Sequence, residues 1–187
     1  MTDLVRAFLD GGAPLIQIRA KSLASGDFLK LCDDIVAVAQ PYKIPIIVND
    51  RADLALMSGA AGTHVGQEDL SPASVRQLLG PAAIVGYSTH TPAQLADASR
   101  EPVTYLAIGP VFGTLTKATG YDAVGLAMVS EAARLSKGVP VVAIGGITLE
   151  TAPAVVAAGA SAVAVISDLV RHGDPRGRVA AFVRALR

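Results

Sequence analysis

The sequence predicts a parallel α/β fold, either a closed barrel or an open doubly wound sheet, and three features point to it. Short β-branched runs recur along the chain and are nearly continuous in apolar residues, as in strands buried on both faces. Segments with helical spacing or helix-start signals fall between them, so the order reads βαβα. Polar residues gather at the C-terminal ends of these runs, while the run bodies stay apolar.

The elements follow in chain order. The chain opens on a helical stretch, "DLVRAFLDGG", which Thr2 or Asp3 can cap and Gly11-Gly12 can end. Strand runs are read at 14–20 (PLIQIRA), 44–50 (IPIIVND), 62–66 (GTHVG) and 83–89 (AIVGYST). Three more follow at 105–112 (YLAIGPVF), 139–146 (VPVVAIGG) and 161–167 (SAVAVIS). Between them, 26–40 places its apolar residues at helical spacing. The segment 71–80 starts with Ser71 as cap and Pro72 in the first turn, and 91–98 repeats the device with Thr91, Pro92 and Gln94. The segment 148–159 starts on Thr148 and ends on Gly159. No linker, low-complexity tract or repeat intervenes, and 187 residues fit one domain spanning 1–187. No G-x-G-x-x-G follows the first strand, which weighs against a dinucleotide-binding sheet.

Composition narrows the function classes. Half the residues (51%) are apolar, enough for a substantial core. Formal net charge is zero and the pI is about 6.8. A nucleic-acid or anionic-membrane binder would need a basic excess that is absent here. Cys32 is the single cysteine, so no internal disulfide forms, which fits a cytoplasmic setting. The N-terminus lacks the apolar core of a secretory signal, and the uncharged run 151–167 reads as a helix entering a strand, not a membrane span.

In a parallel barrel, chemistry sits at the C-terminal ends of the strands. The first run offers Gln17, Arg19 and Lys21 at alternate positions, hence on one face of a strand, and two cations with an amide suit a diphosphate. The second ends in Asn49-Asp50-Arg51, and the third leads to His64, Gln67 and Asp69. The fourth ends in Ser88, Thr89 and His90, and the fifth enters "GPVFGTLTKATG", with Thr114, Thr116, Thr119 and Lys117. The sixth ends in Gly145-Gly146 and the seventh in Ile166-Ser167. Each has a plainer reading: Asp50 as a helix cap, Asp69 as a turn residue, Gly145-Gly146 as a tight turn, Arg19 and Lys21 as solvent-reaching charges, His64 and His90 as structural, and His172 as a surface residue. Those readings leave the clustering unexplained. Carboxylates with Asn and Gln are hard oxygen ligands suited to Mg²⁺ shared with substrate phosphates. Exposed backbone N–H groups after the sixth strand suit a monophosphate.

Taken in order, "QIRAK", "VNDRADLAL", "THVGQEDL", "GYSTHT", "IGPVFGTLTK", "AIGGI" and "VAVIS" resemble the thiamine-phosphate synthase family over residues 12–170. The resemblance implies a TIM (β/α)8-type barrel that joins a hydroxymethylpyrimidine diphosphate to a thiazole phosphate and releases diphosphate with Mg²⁺. By motif, Gln17, Arg19, Lys21 and Asn49 would bind the pyrimidine diphosphate, and Asp50 and Asp69 would hold the metal. Ser88 would contact the pyrimidine, Thr114 and Thr116 the thiazole phosphate, and Lys117 the diphosphate. Gly146, Ile166 and Ser167 would complete the thiazole-phosphate site through backbone N–H groups. Lys117, Ser88 and Arg19 are the implied catalytic residues. The chemistry would be dissociative, with the electron-rich pyrimidine carrying positive charge as diphosphate leaves, so the site must stabilise a leaving group more than supply a strong base.

Two rivals stand beside this reading. A related thiazole tautomerase would work by proton transfer, with His90 a candidate, and would not need Asp50, Asp69 and Lys117 together. A silent phosphometabolite-binding module would keep Gly146 and Ser167 without a metal pair. Seven strands are recognisable where the fold has eight. Family members usually begin with a strand ahead of the first helix, and its absence would leave the runs at 14–20 and 161–167 flanking a gap. Exposed edges of that kind invite pairing with another chain, so the gap is expected to be covered by a second copy in a homo-oligomer or by rearranged local segments, although a truncated chain or misplaced start fits equally.

Overall fold

A computed structural model describes residues 1–113, 122–171 and 173–187. Helix α1 (Thr2–Asp10) leads into β1 (Ile16–Ile18), followed by α2 (Ser25–Ala39), β2 (Ile46–Asn49), α3 (Ala52–Ser58) and β3 (Gly62–Val65). Then come α4 (Pro72–Leu79), β4 (Ile84–Thr89), α5 (Pro92–Ala98), β5 (Tyr105–Ile108) and α6 (Gly125–Leu135). The chain finishes with β6 (Val141–Ile144), α7 (Ala152–Ala157), β7 (Ala162–Ala164), α8 (Ser167–Val170) and α9 (Pro175–Ala185). Among the described residues the strands form one seven-stranded sheet in the order β1-β2-β3-β4-β5-β6-β7, every neighbouring pair parallel. This is the curled, helix-covered sheet of a TIM-type barrel, with β1 and β7 at its two edges.

Burial follows the sequence pattern. All four residues of β2 and of β3 are buried, as strands covered on both faces require, the polar Asn49, Thr63 and His64 among them. Helix α2 buries Phe28, Cys32, Ile35 and Ala39, one stripe at helical spacing, against Ile46, Val48 and Leu54. On the other half, Leu106, Ile108, Val141 and Ala143 pack with Val129, Val155 and Phe182. The α1 turn approaches α9 so closely that a Cβ on Gly11 would lie 2.7 Å from the Arg176 carbonyl oxygen.

The helix starts divide into two groups. Ser71 accepts from the Ser74 N–H, and Thr91 accepts from the Gln94 N–H while Gln94 Oε1 accepts from the His90 N–H at 2.8 Å. Reciprocal capping of that kind fixes the start of α5. Neither Thr2 nor Asp3 caps α1, whose cap is Met1 with no side-chain bond. Thr148 does not cap α7 either. The helix begins at Ala152, and Thr151 Oγ1 instead accepts from the Thr148 N–H at 2.9 Å, tying a turn ahead of the helix.

Candidate active site

The carboxyl ends of the strands bring most of the predicted residues to one side of the sheet. Strand β1 is only three residues long, so the alternation argument covers Gln17 but not Arg19 or Lys21, which lie past its end. Lys21 instead reaches back from a turn to Asp50, Nζ to Oδ2 at 3.1 Å. Asp50 follows β2 directly and has a positive φ of 63°, a conformation Asp tolerates better than most residues. Its N–H donates to the His64 carbonyl at 2.8 Å, continuing the β2–β3 ladder by one residue. It does not cap α3, whose cap position is Arg51, so the plainer reading of Asp50 fails. Arg51 is occupied locally, with two bonds to Asp53 at 2.8 and 2.6 Å and one to Ser25 Oγ at 3.0 Å. Asn49, at the end of β2, is buried.

Asp69 does serve its loop, because Oδ2 accepts from the Gly66 N–H at 2.7 Å and closes the turn after β3. That role leaves the carboxylate at the end of the strand next to Asp50. Gln67, in the same turn, donates to the Ser88 carbonyl at 2.7 Å and so links the ends of β3 and β4.

A polar network crosses the sheet behind these groups. His64 Nε2 lies 2.7 Å from Ser88 Oγ, and Nδ1 lies 2.8 Å from the Tyr105 hydroxyl. The two rings stack with centroids 5.5 Å apart. Burial pushes the Tyr105 phenol well above its usual range and keeps it protonated, the nearby Gln17 amide drawing it only partly back. A protonated phenol can donate to Nδ1, and Nε2–H then donates to Ser88. Ser88 on β4 and Tyr105 on β5 are thereby joined through the His64 imidazole on β3, and the sequence reading gave neither His64 nor Tyr105 a role in the reaction. His64 is structural in that reading, and Tyr105 goes unremarked at the head of an apolar run. The signal was the register, since His64, Gly86 and Tyr105 are side by side on β3, β4 and β5.

At the late strands, Gly145 (φ 100°) and Gly146 (φ 63°) are both left-handed. A Cβ on Gly145 would meet Pro110 at 2.5 Å, and one on Gly146 would meet the Gly113 carbonyl oxygen at 2.6 Å. Only glycine lets the segment after β5 lie against the segment after β6. Ile166 is exposed at the head of α8, and Ser167 begins that helix. Thr114, Thr116 and Lys117 lie outside the described residues, as does His172. His90 Nδ1 bonds to the Gly109 carbonyl at the end of β5. A surface hollow lined by Asp33, Gln40, Pro45 and Ala61 opens at the amino ends of β2 and β3, away from all of these groups.

This fold, with its polar groups at the carboxyl ends of the strands, defines the class of TIM-type barrel enzymes, whose working face is that end. The sequence profile of the family described as thiamine monophosphate synthase matches residues 1–169. The chain is 42% identical over 186 residues to the thiamine-phosphate synthase of Koribacter versatilis, covering 100% of this chain and 86% of that one. It is 40% identical over 182 residues to that of Roseiflexus castenholzii, covering 97% and 79%. Among solved structures, the thiamine phosphate pyrophosphorylase from Pyrococcus furiosus matches with a TM-score of 0.90 at 29% identity, over 99% of this chain and 88% of that one. The chain belongs to the thiamine monophosphate synthase family.

Proposed function

We propose that the chain is a thiamine-phosphate synthase that joins hydroxymethylpyrimidine diphosphate to thiazole phosphate and releases diphosphate. The observation that carries this reading is the meeting of Lys21 and Asp50 at 3.1 Å, with Asn49 beside them and Asp69 after the next strand. A cation and two carboxylates at adjacent strand ends suit a diphosphate delivered with a divalent metal. Family membership gives the same reading independently.

The donor set fits Mg²⁺. Among the described residues no group of three or more His, Cys, Asp or Glu side chains gathers to cage a metal. Mg²⁺ is usually held by one or two carboxylates plus substrate oxygens and water, and Asp50 and Asp69 would supply the carboxylates. Once bound, the ion would offset negative charge on the diphosphate.

The chain's own residues would do the rest. Gln17, Arg19, Lys21 and Asn49 bind the diphosphate end. Ser88, oriented by His64, contacts the pyrimidine. Lys117 neutralises charge on the bridging oxygen as the carbon–oxygen bond breaks, and the thiazole nitrogen then forms the new bond to that carbon. Thr114 and Thr116, with the backbone of Gly146, Ile166 and Ser167, hold the thiazole phosphate. No side chain needs to remove a proton from carbon.

The reading includes a cytoplasmic setting, which suits the free, buried Cys32. Among the described residues no helix is long and apolar enough to cross a membrane. It also includes a second copy covering the β1 and β7 edges, tested by molar mass in solution. The deciding experiment for function measures diphosphate release from the two purified substrates. Release requiring both substrates and Mg²⁺ supports the reading, and its absence under those conditions removes it.

A further inference from the structure

Asp168 is 3% exposed, although it belongs to the short helix that follows β7. Its Oδ2 gathers three bonds. Arg178 of α9 donates from Nε at 2.9 Å and lies 2.8 Å away at NH2, and the Leu149 N–H donates at 3.2 Å. Arg178 also reaches Glu150 Oε1 at 3.1 Å and lies over the Phe182 ring at 5.8 Å. Thr148, its own backbone N–H and Arg178 all favour the charged Glu150 carboxylate and pull it down to about 2. Three chain segments therefore meet at one buried carboxylate: the loop after β6, the first turn after β7, and α9.

Those two loops carry Gly146, Ile166 and Ser167. None of Asp168, Arg178 or Glu150 enters the reaction derived above, and a buried carboxylate is retained only when its partners hold it. We infer that Asp168 and Arg178 are positioning residues that set the spacing between the loops after β6 and β7, and hence the affinity for the monophosphate of the thiazole substrate. This rests on the proposed function. The pair stands at the β6–β7 end of the sheet, whereas Gln17, Lys21, Asn49 and Asp50 stand at the β1–β2 end. Its loss should weaken one substrate and spare the other.

The test compares wild type with Asp168→Ala, Asp168→Asn, Arg178→Met and the Asp168→Ala/Arg178→Met double variant. KM for each substrate, kcat, thermal melting and calorimetric binding of the thiazole phosphate are measured. Asp168→Ala and Arg178→Met should each raise KM for the thiazole phosphate about tenfold or more, with kcat and the KM for the pyrimidine diphosphate changed less than about threefold. The double variant should be no worse than the worse single, because the two act as a unit. Asp168→Asn keeps an acceptor for Leu149 and should recover part of the affinity even if Asp168→Ala folds poorly. Equal rises in both KM values, or variants that bind the thiazole phosphate as wild type does, overturn the inference alone. A wild type that binds no thiazole phosphate overturns the proposed function and the inference with it.

Discussion

Lys21 and Asp50 form an ion pair at 3.1 Å, joining a residue expected to bind diphosphate to one expected to bind its metal. The Lys21 side chain is 57% exposed and that of Asp50 21%, so the pair sits at the surface with its cation in water, where such contacts contribute little to stability. Its value is positional. Lys21 holds the Asp50 carboxylate at the end of the strands, and a metal-bound diphosphate would give each partner a new counter-charge. Lys21→Ala should therefore leave melting nearly unchanged, within about 0.5 kcal/mol. It should raise KM for the pyrimidine diphosphate more than it changes the KM for the thiazole phosphate. Steady-state kinetics with each substrate varied in turn checks this, and an effect confined to the thiazole would place Lys21 elsewhere.

Asp50→Asn and Asp69→Asn should each remove most Mg²⁺-dependent turnover, at a cost on the order of 3 kcal/mol in the transition state. The two should differ in stability. Asp69 also closes the Gly66 turn, and an amide oxygen can accept that hydrogen bond almost as well, so its variant should melt slightly lower. Asp50→Asn loses only the partly exposed ion pair with Lys21. Rates measured across a range of limiting Mg²⁺ decide the matter, and either variant matching wild type there would sink the metal assignment.

The strand count, the parallel order and the strand-end clustering were legible because buried parallel strands leave apolar runs and their ends carry the polar residues. Caps read from Ser71 and Thr91 proved correct because a cap side chain bonds within its own first turn. Thr148 misled because its local bonds form a separate turn before α7. Lys21 was placed on a strand face that ends three residues earlier, at Ile18, since sequence does not show where a ladder stops. The partners of His64, and the parts played by Tyr105, Asp168 and Arg178, were missed for one reason. Each residue acts through partners between 10 and 41 residues away, and no local pattern records such pairings.

Cys32 should be inert in the folded chain. Its side chain is fully buried, and burial together with the Asp33 charge pushes the thiol up to about 11. At pH 8 almost none is thiolate, the reactive form. The folded state therefore holds a proton that the unfolded thiol begins to lose near pH 9, so this group's contribution to stability is full below that pH and declines as pH rises toward 11. Labelling with a thiol-reactive chromophore at pH 8 should be undetectable under native conditions and should track unfolding as urea is added. Rapid native labelling would contradict the packing of α2 on β2.

Gly86 sits in register between His64 and Tyr105, and the two rings meet across it because it has no side chain. A Cβ built there would lie on the Tyr105 ring and the His64 Nδ1, too close for either to remain in place. Both rings are confined, because they are bonded to each other and His64 is bonded also to Ser88, so neither can swing aside without breaking a bond. Gly86→Ala should cost about 1–3 kcal/mol, as overpacking of a dense interior does. It should also raise KM for the pyrimidine diphosphate, because Ser88 loses the imidazole that orients it. The cause can be separated from any backbone preference of alanine, which favours no loss at this strand position. In a Tyr105→Ala background the ring is gone, and adding Gly86→Ala should then cost clearly less than it does in wild type. Urea unfolding of the four members of that cycle measures the coupling. Additive losses would mean that the rings do not meet over Gly86.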